Sequence, residues 1–102
     1  MPTETAKFLI QPPADLPRAF ALEYLEECLR ELPLLKAAAD AGNFPRARSF
    51  GHQMKGNGKP YGFPVLSQMG LAIELAADRA DPVGLVREVT ALEAYLSQIE
   101  LA

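Results

Sequence analysis

Chemistry in this sequence converges on His52, the only histidine of the chain. A neutral imidazole is nucleophilic at neutral pH. The charges around it are uneven: no acidic residue lies between Ala41 and Ile73, whereas Arg46, Arg48, Lys55 and Lys59 all do. That window carries +4 in a chain of net charge −3, which leaves −7 for the remainder. Positive charge gathered around the one histidine of an acidic protein suits something anionic, either a phosphoryl group or an acidic protein surface. A solvated face is the plainer reading of the same charges.

Helical spacing brings these groups onto one stripe. With His52 at 0°, Arg48 falls at about −40°, Lys55 at about −60°, Gly56 at about +40° and Lys59, if the helix reaches it, at about −20°. Ala47, Phe50 and Met54 lie on the opposite side, which must face the core, so His52 points to solvent. Gly56 sits on the exposed stripe one turn after His52, where glycine costs about 1 kcal/mol relative to alanine. A missing side chain beside the imidazole lets another protein's backbone come close. Gly51 and Gly58, about 100° and 120° off the stripe on the Lys55 side, suit a fraying end or close helix packing.

The elements that must hold this stripe are punctuated by proline and glycine, with helical rather than alternating periodicity between them. Residues 1–13 end in Pro12 and Pro13 and are expected to form a short extended arm, with Phe8, Leu9 and Ile10 as its contact to the body. Residues 14–102 are expected to form four helices. Asp15 offers an N-cap for a first helix over about 16–41, buried through Phe20, Tyr24, Leu25, Cys28, Leu32, Leu35 and Ala39 and kinked at Pro33. Gly42 and Asn43 cap a second over about 44–58. Pro64 opens a third, carrying Leu66, Met69, Gly70, Ile73 and Ala77 to about Arg79. Asp81 and Pro82 start a fourth, with Val86, Val89, Leu92, Leu96 and Ile99 inward. Short connections imply an all-α, antiparallel up-down four-helix bundle, its longest helices at either end of the chain.

Composition narrows the classes. At 102 residues, 49% hydrophobic and 23% charged, the chain is a single domain with enough apolar mass for a core and too much for disorder. No apolar run approaches the roughly 18 residues of a membrane span, and the start lacks the pattern of a signal peptide, so the cytoplasm is the expected compartment. One Cys and one His cannot supply a typical zinc site, and the lone Cys28 cannot close an intrachain disulfide. No metal or cofactor site is expected in the chain. Net negative charge gives no support for a general nucleic-acid binder.

The pattern His52-Gln53-Met54-Lys55-Gly56, with Gly62 following, resembles the H-x-x-K-G motif of histidine-containing phosphotransfer (HPt) domains of two-component phosphorelays. The likeness continues through Gly62-Phe63-Pro64-Val65-Leu66, Gly70, Ile73, Glu74 and Ala76 as the third helix of that family. Residues 44–77 match well, the flanking helices in pattern and length only; Asn57 stands where many members carry a small hydroxyl residue. The resemblance implies that His52 accepts a phosphoryl group from a receiver-domain phosphoaspartate, or through a histidine kinase pathway, and passes it to another receiver aspartate. Lys55, one turn along, can pair with the phosphoryl oxygens, and Arg48, Gly56 and Lys59 would meet the partner. No carboxylate lies near His52 in the sequence, so Mg²⁺ is expected from the receiver.

Kinase activity is not expected. The H-E-x-R/K-x-P pattern of kinase dimerisation domains is absent, there is no room for an ATP-binding domain, and no G-x-G-x-x-G fingerprint appears. The expectation is a monomeric phosphohistidine carrier, served by receivers and a hybrid histidine kinase. Its rivals are a docking adaptor of the same fold that is never phosphorylated, and a helical module whose basic stripe binds acidic protein or nucleic acid.

Overall fold

A computed structural model describes residues 8–102, so residues 1–7 of the expected arm lie outside the described residues. Four helices, α1 (Arg18–Asp40), α2 (Phe44–Asn57), α3 (Pro64–Asp78) and α4 (Pro82–Leu96), lie between two short strands, β1 (Phe8–Ile10) and β2 (Ile99–Leu101). The architecture is mainly helical. Each helix packs chiefly on two others: α1 on α2 and α4, α3 on α2 and α4, with the α2–α3 seam the most extensive. Phe63, Leu35, Leu66, Ile73, Leu85 and Leu92 are fully enclosed between them. Each such side chain contributes about 1.5–3 kcal/mol of apolar burial. Among the described residues no helix is long and apolar enough to cross a membrane.

The turn chemistry sets most boundaries. Asn43 caps α2, its side chain accepting from the Arg46 N–H at 3.3 Å, and Asp81 caps α4, accepting from the Gly84 N–H at 3.0 Å. Each helix also has proline in its first turn, where the missing N–H costs nothing. Gly62 adopts φ +97°, a left-handed backbone open to glycine, and turns the chain so that the fully buried Phe63 enters α3. Phe63 lies against Tyr24, whose ring stacks on Tyr61 at 4.8 Å.

Several expectations are corrected. Asp15 does not cap α1: Pro17 is the cap residue, with extended ψ and no side-chain bond. Proline biases its predecessor to extended geometry, which keeps Leu16 out of the helix. Phe20 is 52% exposed rather than buried. It borders a surface cavity with Tyr24, Asn57 and Tyr61, on the side of α1 turned towards α2. Val86 is only partly covered, at 39% exposure, and borders a shallow cavity with Lys36 and Glu93. α1 is the longest helix at 23 residues, whereas α4 equals α3 at 15, so the longest helices do not stand at either end of the chain.

The fourth helix stops at Leu96, so Ile99 and Glu100 belong to β2. β2 pairs in parallel with β1, Phe8 opposite Ile99 and Ile10 opposite Leu101. The arm thus supplies backbone partners that outcompete another helical turn for a β-branched residue.

Candidate functional site

His52 is set by the seam between α2 and α3, and two glycines determine how close that seam is. A Cβ on Gly51 would stand 2.7 Å from the Gly70 carbonyl oxygen and 2.8 Å from the Glu74 nitrogen. One on Gly70 would stand 2.5 Å from the Lys55 nitrogen. Neither position has room for a side chain, so the backbones of α2 and α3 meet directly. Gly58 repeats the contact, with Ser67 N 2.6 Å from its would-be Cβ. Gly51 and Gly58 are therefore packing residues, whereas Gly56 has nothing within 4 Å of a built Cβ.

The close approach carries Glu74 under the His52 ring. Glu74 Oε2 lies 2.9 Å from His52 Nδ1, and Oε1 lies 2.8 Å from Lys55 Nζ. Arg48 Nη2 approaches the same Oε2 at 3.4 Å while its Nε donates to Asp78 Oδ1 at 2.6 Å. The Glu74 side chain is only 6% exposed, against 59% for His52. A buried acid in a helix otherwise lined by Leu66, Ile73 and Ala77 is tolerated because three cationic or donor groups converge on it. The Lys55 ammonium, and then the His52 ring, hold its carboxyl below the usual carboxylate range, against the burial that pushes it up.

An ionised carboxylate can only accept, so His52 Nδ1 must donate to Glu74. In the neutral ring this leaves Nε2 unprotonated, with the lone pair of a nucleophile. The ring is both exposed and fixed in tautomer, an arrangement suited to attack on an electrophile brought from outside.

Glu74 is the residue that sequence reasoning missed. The available signal is an acid four residues after Gly70, among the core positions of the third helix. Its presence also revises the reading of the basic window. The window ends at Ile73, and the next acids along α3, Glu74 and Asp78, neutralise Arg48 and Lys55 in space. Arg46 instead lies over the Phe50 ring at 5.5 Å. α2 ends at Asn57, so Lys59 falls beyond the helical stripe in the following turn, where its N–H donates to Ser67 Oγ at 2.7 Å.

Among the described residues no group of three or more His, Cys, Asp and Glu is arranged to hold a metal ion. No protein-family model, curated protein or solved structure gives a significant match to the chain.

Proposed function

We propose that this chain is an HPt-type phosphorelay carrier, accepting a phosphoryl group on His52 from a receiver phosphoaspartate and returning it to another receiver aspartate. One observation carries the reading: an exposed imidazole whose Nδ1 is held by a buried carboxylate, beside Lys55. In the forward step the Nε2 lone pair attacks phosphorus, the N–P bond forms, and the P–O bond to the aspartyl carboxylate breaks. That carboxylate leaves with the bonding electrons. The Nδ1 proton stays on the ring, and Glu74 faces the positive charge the ring acquires. Return to a second aspartate is the reverse.

Phosphoryl transfer depends on positioning and charge neutralisation more than on covalent machinery. Lys55 supplies a cation on the same face, and a doubly charged phosphoryl group competes well with Glu74 for it. Mg²⁺ belongs to the receiver in this scheme, and the chain has no kinase activity of its own. We take the four helices as an antiparallel up-down bundle acting as a cytoplasmic monomer.

A docking adaptor that is never phosphorylated is the second reading. It is favoured by the ion pairs that already engage Arg48 and Lys55. Incubation with phosphorylated receiver domains separates the two. The carrier takes an acid-labile, alkali-stable label that His52→Ala abolishes while the variant still folds, with only a small drop in melting temperature from the lost bond to Glu74. Receiver binding without any label selects the adaptor, and label surviving in His52→Ala puts the acceptor elsewhere.

A further inference from the structure

Two cations of α2 reach Glu74, and they reach it unequally. Lys55 Nζ stands 2.8 Å from Oε1, a full charge-assisted contact, whereas Arg48 Nη2 stands off at 3.4 Å from Oε2, beyond the roughly 2.7–2.9 Å of such a bond. The short contact of Arg48 is made elsewhere: its Nε donates to Asp78 Oδ1 at 2.6 Å, one turn along α3. That bond tethers the guanidinium beside Glu74 without closing it onto the carboxylate. The ionisable groups facing Glu74 are thus His52, Lys55 and Arg48 from α2, with Asp78 next along its own helix.

This inequality matters once Lys55 is drawn to a phosphoryl group. Oε1 is buried and, apart from Lys55 Nζ, has no polar partner among the described residues. An enclosed carboxylate that loses its cation is costly. It has two ways out. It can take the proton of His52 Nδ1, 2.9 Å from Oε2, or a second cation can close on it. The first course harms the chemistry: with Nδ1 protonated the ring leaves phosphorus as neutral imidazole, and without that proton it must leave as the far poorer imidazolate anion. The second course keeps the proton where onward transfer needs it.

We propose that Arg48 is the reserve cation of Glu74: when Lys55 turns to a phosphoryl group on His52, the Arg48 guanidinium closes from its standoff onto the carboxylate, keeps it ionised, and so keeps the proton on Nδ1. The phosphorylated state rests on the carrier reading, whereas the exchange of cations on Glu74 is a property of the unmodified site as well. Arg48 is in this role a positioning residue, acting on His52 only through Glu74. Its side chain is 50% exposed and that of Asp78 45%, so neither is locked by packing against the small movement required.

The test reads the ¹⁵N shifts of the His52 ring at neutral pH in the full chain carrying Arg48→Gln, Lys55→Ala or both. Lys55→Ala imitates the departure of the lysine without any phosphoryl group. Each single variant is expected to keep the parental tautomer, because the remaining cation covers Glu74. The double variant should shift it, as Glu74 takes a proton and donates to Nδ1. His52 is then labelled with phosphoramidate, a small donor that needs no partner. Labelled parent and labelled Arg48→Lys should keep the Nδ1 proton, and labelled Arg48→Gln should lose it to Glu74. At equilibrium with a receiver domain, the ratio of phosphohistidine to phosphoaspartate should fall by about 5- to 10-fold in Arg48→Gln and recover in Arg48→Lys.

A parental tautomer in the double variant, or an Nδ1 proton retained in labelled Arg48→Gln, overturns the exchange and leaves the carrier reading intact. A tautomer already shifted in Lys55→Ala also overturns it, since Arg48 then fails to take over. Ring shifts as expected, with no receiver able to deliver to His52 or to take its label, uphold the exchange and remove the carrier reading.

Discussion

The two long sides of α2 are built to different rules. Towards α3 the helix is closed: Gly51 and Gly70 bring backbone against backbone, and Glu74 is enclosed with three partners. Towards α1 it is open: cavities lined by Glu23, Glu27, Glu31 and Gln53 lie between the two helices, and none of the three acids makes a salt bridge among the described residues. His52 stands on the border between them. A nucleophile that must keep one tautomer needs rigid support on one side. In the carrier reading proposed above, one that meets changing partners needs an unfinished surface on the other.

The largest effect on the comparison comes from breaking the closed side. Gly70→Ala forces a methyl group against the Lys55 backbone nitrogen, and neither helix can yield locally because the contact is main chain. The expected loss is about 2–3 kcal/mol of stability. Gly51→Ala should behave similarly. Urea unfolding checks both, and a loss below about 0.5 kcal/mol would mean that the helices can slide apart and that the seam does not position Glu74.

Glu74→Ala probes the chemistry of the same side. Without the carboxylate nothing holds the proton on Nδ1, so the ring becomes a mixture of tautomers and the Nε2 lone pair is diluted. The expected result is a change in the ¹⁵N shifts of the His52 ring and transfer slowed by about 10- to 100-fold. In the proposed carrier, Lys55→Ala should slow transfer over the same range with the tautomer unchanged, since it removes the cation proposed to pair with the phosphoryl oxygens. A shifted tautomer in Lys55→Ala, or an unshifted one in Glu74→Ala, would exchange the two roles.

Helix ends around the site were legible in the residues themselves, because Asn43, Pro64 and Asp81 act through local geometry. The exposure of His52 was legible too, from the angle of Ala47 and Met54 on the same helix. Glu74 was not. Its meaning depends on which residue of another helix it faces, and a count of charges along the chain stopped at Ile73, one residue short. Ile99 was misread because its helical spacing from Leu92 and Leu96 competes with a strand partner from the far end of the chain, which no local pattern contains.

Acid titration gives a smaller effect on the closed side, and its sign is fixed by Glu74. The folded carboxyl lies below its usual value of 4.5, so its interactions stabilise the fold above that pH and are lost as pH falls through the lowered folded value. The parent should therefore be more stable than Glu74→Gln at neutral pH, with the gap closing only below 4.5. Denaturant unfolding of both proteins across pH tests this, and a gap constant into strong acid would show that the ionised carboxylate contributes nothing.

The smallest expected effect is on the exposed stripe, and it sharpens the contrast with Gly70. Gly56 has open space where a Cβ would project, so Gly56→Ala gains helix propensity and meets nothing. Stability should stay level or rise by up to about 1 kcal/mol. A larger side chain distinguishes vacancy from use. Gly56→Leu should keep the parental melting temperature, since its side chain extends into solvent, yet slow transfer from a receiver by about 10-fold or more by standing between the imidazole and the incoming aspartate. Labelling by phosphoramidate, which needs no such approach, should be nearly unchanged. If Gly56→Ala costs stability, the glycine serves the backbone and the stripe is part of the closed side after all. If Gly56→Leu folds and receives from the receiver at the parental rate, partners reach His52 by another path, and the border position of the histidine loses its functional meaning.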